Sequence, residues 1–140
     1  MIDAENRCPC GTGETYAACC GRYHTSFAQT GQLTAPTPEA LMRSRFSAFA
    51  LGLADYLLAS WHPSSRPQSL DLEEGLRWYR LDVLAATGGP FDTEGRVDFV
   101  AYYRSAPGTP EDQRQRGQMA ESSRFLRQDG AWYYLDGQVS

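Results

Sequence analysis

The chain has 140 residues, 41% of them apolar, and a formal net charge of −4. This is the size and composition of a soluble domain that can bury its own core, and it excludes a disordered or collagen-like chain. We find no run of about 20 apolar residues that could span a bilayer and no apolar signal-peptide core, so we expect a cytoplasmic protein without a membrane partner. All 13 basic residues are arginine. The acidic balance disfavours a nucleic acid partner.

The cysteines form a single cluster near the N-terminus. They follow the spacing C-x-C-x8-C-C, at Cys8, Cys10, Cys19 and Cys20. In a reducing cytoplasm such a cluster favours metal over disulfides, because thiolates are preferred ligands of tetrahedral zinc. Gly11 and Gly13 allow a tight turn around an ion, and residues 14–20 are predicted to form a short helical turn. The spacing therefore predicts one zinc ion held by four thiolates.

Other states of this segment are compatible with the sequence. Four cysteines can pair as disulfides in 3 ways, or can remain free buried thiols. His24 is a fifth candidate ligand that could replace Cys20. A site with four thiolates leaves no position open for water, so we interpret the zinc as structural. Because so short a segment cannot form a core alone, Cys10→Ala is expected to unfold it.

Two helices are predicted next. Thr37 is a suitable N-cap, Pro38 suits the first helical position, and apolar residues then recur at helical spacing until Gly52. A second, short helix runs from Asp55 and stops before Pro63. The chain thus places two packed helices ahead of its strands.

Two arginines flank the apolar face of the first of these helices. Arg43 follows Glu39 by four residues, which is the spacing of a helical ion pair. We expect that pairing. The alternative is that Arg43 or Arg45 reaches a buried carboxylate or an anionic ligand.

The remaining chain is predicted to contain one more helix and then strands. Residues 70–78 fit a third, shorter helix despite Gly75. Strands are predicted over residues 79–85, 97–104, 119–127 and 131–136, with a long polar loop over 107–118. Helices followed by antiparallel strands indicate an α+β fold, with the helices on one face of a curved antiparallel sheet.

A hairpin is predicted at the end of the chain. Asp129 and Gly130 form a dipeptide that favours a two-residue type I′ turn. That turn sets the cross-strand pairs, which are Arg127 with Trp132, Phe125 with Tyr134, and Ser123 with Asp136.

The cysteine segment resembles the SEC-C motif, a zinc-binding module also found at the C-terminus of the bacterial translocation motor, where it docks a chaperone. In the motor's motif a histidine stands where this chain has Cys20. Residues 41–49, 55–63 and 123–137 are similar to the uncharacterised bacterial YchJ-like family. The resemblance implies a SEC-C-type zinc knuckle over residues 1–30 and a nuclear transport factor 2-like domain, with a cystatin-like cone, over residues 31–140.

A pocket is predicted in this domain. The alternation that turns the hairpin aromatics toward the helices also turns polar side chains inward at its far end. The candidate lining residues are His62, Glu121, Ser123, Phe125, Trp132, Tyr134 and Asp136. A mostly apolar cavity with a few polar groups is typical of a small-molecule site, and His62 with Asp136 could form an acid–base dyad. The alternatives are a packed core with polar margins and a His62 that caps its helix.

The sequence contains no nucleophile elbow, phosphate-binding glycine loop or dinucleotide fingerprint, so we assign no catalytic residues. The favoured hypothesis is a zinc-binding interaction or adaptor protein that docks a protein partner through the cysteine module. The alternative is a small-molecule-binding protein or enzyme that uses the cone-shaped pocket. A nucleic-acid adaptor acting through Arg22 is a third and less favoured hypothesis.

Overall fold

The computed structural model describes residues 3–72 and 75–139. Its helices are α1 (Cys20–Thr30), α2 (Pro38–Leu51) and α3 (Ala54–Ala59), and its strands are β1 (Leu76–Thr87), β2 (Glu94–Ser105), β3 (Arg116–Gln128) and β4 (Ala131–Val139). The strands form one antiparallel sheet in the order β1-β2-β3-β4. Helix α2 packs against this sheet, and α1 and α3 pack against α2. The predicted α+β fold is confirmed.

Helix α2 begins and ends where the sequence predicts. The Thr37 side chain accepts a hydrogen bond of 3.1 Å from the Ala40 amide, and Pro38 is the first helical residue. Gly52 ends the helix with φ 76°, a left-handed conformation that glycine adopts without strain. Within the described residues no helix combines the length and the apolar character needed to cross a membrane.

The predicted third helix over 70–78 is wrong in its described part. Residues 70–72 have no regular structure, and 76–78 begin strand β1, while residues 73 and 74 lie outside the described residues. Trp78 pairs across the sheet with Tyr103, and the two ring centroids lie 5.2 Å apart. Aromatic cross-strand pairing stabilises the strand here more than the weak helical spacing could stabilise a helix.

Two further boundaries differ from prediction. Residues 16–19 form turns, and the helix that was expected to end at Cys20 instead begins there and continues to Thr30. The loop predicted over 107–118 is shorter, because a 3-10 turn occupies Glu111–Gln113 and β3 already begins at Arg116.

The terminal hairpin follows the predicted register near its turn and departs from it further along. Arg127 faces Trp132 and Phe125 faces Tyr134, as predicted. Ser123 faces Gly137 and not Asp136, because the register skips one residue of β4, Leu135. An extra residue of this kind reverses the alternation of the bulged strand, so Asp136 comes to lie beside the exposed Arg124.

Strand β1 is irregular, and β4 is reinforced by the chain that follows α3. The pairing of β1 with β2 shifts register twice, between Trp78 and Arg80 and between Val83 and Ala85. Alongside β4, the Tyr134 amide donates to the Ser60 carbonyl at 2.8 Å, and the His62 amide donates to the Tyr134 carbonyl at 2.7 Å.

The cysteines belong to the main core. One cluster of buried side chains joins all four of them to α2 and to the sheet through Leu41, Phe46, Leu81, Val97, Phe125 and Trp132. A smaller cluster of Ala48, Tyr56 and Leu57 lies between α2 and α3. The N-terminal segment is therefore packed onto the α+β body.

Candidate functional site

The four cysteine sulfurs converge on one point. All four side chains are buried, and their Sγ atoms lie within 4.8 Å of one another. A tetrahedral ion with metal–sulfur distances of about 2.3 Å requires sulfur–sulfur edges of about 3.8 Å. The Sγ atoms of Cys10 and Cys19 are 3.5 Å apart, far longer than the roughly 2.05 Å of a disulfide bond. The arrangement is that of a free-thiol cluster of the size a metal ion needs.

The backbone brings the first pair of cysteines together by folding residues 7–15 into a tight loop. Arg7 and Thr15 form an isolated antiparallel bridge, and the Cys8 amide donates to the Glu14 carbonyl at 2.9 Å. Inside the loop, Gly11 has φ 86°, a conformation that an L side chain rarely adopts. The predicted glycine-dependent turn is present.

The second pair lies at the start of α1. Cys20 is the first residue of the helix, and Cys19 before it has φ −124° and ψ −117°, outside the helical region. This bend lets two adjacent side chains reach the same centre. Gly21 follows at a close approach, because a Cβ there would lie 2.6 Å from the Tyr16 carbonyl oxygen.

Groups from the body hold the cluster in place. The Ser47 hydroxyl lies 3.5 Å from the Cys8 sulfur, and Arg43 donates from Nη1 to the Cys10 carbonyl at 3.0 Å. Arg43 also makes the predicted ion pair with Glu39, at 3.0 Å. Polar partners of this kind orient metal ligands and tune their affinity. No local pattern pointed to Ser47, which is 39 residues from Cys8.

The pKa values of the Cys8 and Cys20 thiols are shifted in opposite directions. Hydrogen bonds from the Cys10 and Cys20 thiols hold the pKa of Cys8 well below its usual value. Hydrogen bonding to Cys10 and Cys8, together with burial, raises the pKa of Cys20. Cys8 is thus the first thiolate to form, and Cys20 holds its proton more firmly. Because thiols must lose their protons to bind a metal, an ion held by these four sulfurs would release protons on binding and would bind more weakly at low pH.

His24 lies beside the cluster with both ring nitrogens engaged elsewhere. Its Nε2 donates to the Ser44 carbonyl at 2.8 Å, and its Nδ1 accepts from the Tyr16 hydroxyl. Burial lowers the pKa of His24, so the neutral ring is favoured, and burial raises the pKa of Tyr16 to about 12, so the phenol keeps its proton. His24 joins α1 to α2 and is not positioned as a ligand.

His24→Ala is therefore expected to keep the metal content of the wild-type chain while lowering the free energy of unfolding by about 2 kcal/mol, because Ser44 loses a buried hydrogen-bond donor. Elemental analysis and denaturant unfolding measure the two quantities. Thr25→Ala, on the exposed side of α1, is the matched control and should change neither. Loss of metal in His24→Ala alone would make the imidazole a ligand.

A cavity of about 310 Å³ lies between α2 and the sheet. Its wall is mostly apolar and includes Met42, Phe46, Phe49, Trp78, Phe99 and Met119. Four polar or amphipathic side chains complete the lining, Arg45, Trp61, Glu121 and Tyr134. An apolar space with few polar groups is typical of ligand pockets, which occupy roughly 300–1,000 Å³.

Five of the seven predicted pocket residues lie in the cavity wall or directly behind it. Glu121 and Tyr134 line the cavity. Phe125, Trp132 and Ser123 are buried in the core, where the Ser123 hydroxyl donates to the Glu121 carboxylate. These three support the lining without forming it.

The acid–base dyad that His62 and Asp136 could have formed is absent, because each side chain has other partners. The His62 ring is hydrogen bonded to the Ser64 hydroxyl at 2.7 Å and to the Gln128 side chain at 2.8 Å. Asp136 is displaced to the surface by the bulge at Leu135, where Arg124 donates to it from Nε at 2.7 Å. That arginine holds the pKa of Asp136 below its usual value.

Sequence reasoning missed most of the cavity wall. Trp61 follows α3, and Trp78 lies 17 residues later in β1. Neither belongs to a periodic pattern of apolar residues that predicts an inward-facing side chain. Arg45 was a candidate from its place beside the apolar face of α2, and the structure buries it in the cavity wall.

A four-cysteine knuckle packed on helices that cover one face of an antiparallel sheet defines the class of SEC-C motif proteins with an NTF2-like domain. Residues 6–22 match the SEC-C motif, and residues 37–137 match the family described as "YchJ, middle NTF2-like domain". The chain belongs to this YchJ-like family, whose curated members are UPF0225 proteins. The predicted boundary between residues 30 and 31 stays a prediction.

Several relatives are similar over nearly their whole length. A UPF0225 protein of Corynebacterium glutamicum is 48% identical over 134 residues, covering 95% of this chain and 97% of its own. The solution structure of a SEC-C motif containing protein from Rhodopseudomonas palustris has TM-score 0.75 and 32% identity, covering 95% and 98%. A crystal structure of a SEC-C motif containing protein from Psychrobacter arcticus has TM-score 0.72 and 28% identity, covering 100% and 86%.

Proposed function

We propose that the chain is a zinc-binding protein in which Cys8, Cys10, Cys19 and Cys20 hold one structural ion that fastens the N-terminal segment to the α+β body. The observation that carries the proposal is the convergence of four buried sulfurs within 4.8 Å. A set of four thiolates suits zinc or iron and disfavours magnesium and calcium, which prefer oxygen. Because four protein ligands close the coordination sphere, the ion supplies structure and not catalysis.

The metal is identified on protein purified without chelator. We expect one zinc per chain by elemental analysis, and a thiolate-to-metal absorption band after replacement by Co²⁺. Thiol titration under denaturing conditions should count four free cysteines once the ion is removed. A metal-free protein with two disulfides by mass spectrometry would contradict the proposal, and a stoichiometric iron would correct the identity of the ion.

We further propose that the outer surface of the cysteine loop is a docking surface for a partner protein. Thr12, Gly13 and Glu14 are exposed at its tip, while the sulfurs beneath are buried. A closed metal site that performs no chemistry leaves this surface as the part of the module able to act on other molecules.

The docking proposal is tested by affinity capture with charge-reversal variants. Glu14→Arg is expected to lose a protein that the wild-type chain retains, whereas Glu111→Arg, exposed on the 3-10 turn in the body, keeps it. Equal capture by all three chains would contradict docking on the loop. Loss of the captured material on nuclease treatment, with steep salt dependence, would favour a nucleic acid partner instead.

A second candidate function is small-molecule binding in the cavity between α2 and the sheet. The observation that favours it is an apolar space of about 310 Å³ that also borders a buried arginine. An uncharged apolar dye should bind the chain with a fluorescence increase. Ala101→Leu, which fills the cavity from β2, should abolish that signal while the fold is retained. Unchanged dye binding in this variant would place the dye elsewhere and contradict the function.

A further inference from the structure

Arg45 is a buried cation that forms no ion pair with any of the described residues. Its side chain is 3% exposed, and burial lowers its pKa to about 10, so it remains charged at neutral pH. Both of its hydrogen bonds come from Nη1, to the Leu57 carbonyl at 2.8 Å and to the Ser60 hydroxyl at 2.7 Å. Among residues 3–72 and 75–139, no carboxylate oxygen lies within 4.0 Å of its guanidinium. Buried charges are ordinarily paired, so an unpaired one requires an explanation.

The guanidinium lies among the residues that line the cavity. Its Cζ is 4.5 Å from the ring centroid of Tyr134 and 5.2 Å from that of Trp61. The two rings supply cation–π contacts, which compensate a desolvated charge only in part. The partners named above occupy Nη1, and the described residues offer no hydrogen-bond acceptor to Nε or Nη2. Arg45 is itself one of the residues that line the cavity.

Trp61, whose ring lies beside the Arg45 guanidinium, carries a buried donor without an acceptor in the described residues. Its Nε1 is buried and, within the described part of the chain, has no hydrogen-bond partner. Buried indole N–H groups usually find an acceptor, and leaving one unmatched is destabilising. A guanidinium that pairs with no carboxylate of the described residues and an indole N–H without an acceptor belong to two residues that line one cavity, which indicates that an acceptor comes from outside the chain.

We propose that the cavity binds a small apolar monocarboxylate, whose carboxylate accepts hydrogen bonds from Arg45 and Trp61 and whose apolar body packs against α2 and the sheet. This inference rests on the second candidate function and names its ligand class. Planar carboxylates match the fork of a guanidinium, and the two opposite charges attract each other. The mostly apolar wall suits a ligand with one charged end.

Glu121 limits which ligands fit. Its carboxylate lines the cavity, accepts from the Ser123 hydroxyl and lies 3.5 Å from the Tyr134 hydroxyl. It is farther than 4.0 Å from the Arg45 guanidinium, so it does not neutralise that cation directly. A bound carboxylate therefore experiences attraction from Arg45 and a weaker repulsion from Glu121. Polyanions are disfavoured, and a single carboxylate is favoured.

The test compares 4-phenylbutyrate with 4-phenylbutyramide, which differ in charge but little in shape. Both are titrated into the full zinc-loaded chain by calorimetry at pH 7.5. We expect the carboxylate to bind at least tenfold more tightly than the amide. Arg45→Met should bring the carboxylate to the level of the amide, and Trp61→Phe should weaken it severalfold. Glu121→Gln should tighten the carboxylate and leave the amide unchanged.

Trp61→Phe keeps the test decisive even where Arg45→Met misfolds. It removes an N–H donor that has no acceptor among the described residues, so it breaks no hydrogen bond of the fold. Equal binding of the two ligands, or a charge preference that survives both variants, would overturn the inference while the cavity remains a ligand site. Binding of the apolar dye without binding of either ligand would also overturn it. If the dye fails as well, the candidate function itself is wrong, so the two failures are distinguishable.

Discussion

Replacing Cys10 by alanine is expected to release the metal and to destabilise the whole chain, not only its first thirty residues. Cys10 is fully buried in the cluster that contains Leu41 and Phe46, and its carbonyl accepts from Arg43 on α2. A ligand present at about 1,000 times its dissociation constant stabilises a fold by about 4 kcal/mol. Loss of the ion should remove a contribution of at least that size and lower the melting temperature of the α+β body.

Elemental analysis and thermal unfolding, each with and without added zinc, measure this outcome. Ser47→Ala is the matched control, because it removes the hydroxyl beside the Cys8 sulfur but no ligand. It should keep one ion and bind it roughly 10–100-fold more weakly. Wild-type metal content in Cys10→Ala would show that this thiol is not a ligand. A melting transition unchanged by loss of the ion would show that the knuckle is not coupled to the body.

Trp132→Ala is expected to lower the free energy of unfolding by about 4 kcal/mol. The Trp132 side chain is 1% exposed in the core between β4 and α2, and its Nε1 donates to the Pro36 carbonyl at 3.2 Å. Truncation removes both a large apolar surface and the hydrogen bond that holds the segment before α2. Denaturant unfolding measures the change.

Tyr133→Ala is the comparison for this substitution, since Tyr133 is the adjacent residue of β4 and is only half-buried. It should cost about 1 kcal/mol or less. The comparison tests whether Trp132 is a core residue, because it was predicted as pocket lining and the structure places it behind that lining. If the two substitutions lower the free energy of unfolding equally, Trp132 contributes no more to the core than the half-buried Tyr133.

The parts of the fold that could be predicted are those determined by residues close to one another in the sequence. The cysteine cluster follows from spacing alone, because its ligands come from one short loop and the start of one helix. The ends of α2 follow from Thr37 and Gly52, whose side-chain and backbone preferences act within a few residues. The near end of the hairpin follows from its Asp129-Gly130 turn, which fixes register over the first few pairs.

What could not be predicted depends on contacts between distant residues. The bulge at Leu135 turns the Asp136 side chain to the opposite face of the sheet, and no local sequence pattern indicates this bulge. Helix α1 packs against α2, and His24 on α1 donates to the Ser44 carbonyl, 20 residues away in the sequence. The cavity draws its wall from α2, from the residue after α3 and from all four strands, so its composition appears only once these elements are assembled.

The backbone pairing of Ser60 and His62 with Tyr134 has a consequence for the edges of the sheet. Open strand edges invite pairing with other chains and are a common origin of aggregation. The pairing covers the outer edge of β4 at its middle with the protein's own backbone. At the opposite edge, two register shifts break the regular spacing of β1, and Arg77 and Arg80 add exposed charge. Neither edge offers a long regular template, which protects the sheet against intermolecular strand addition.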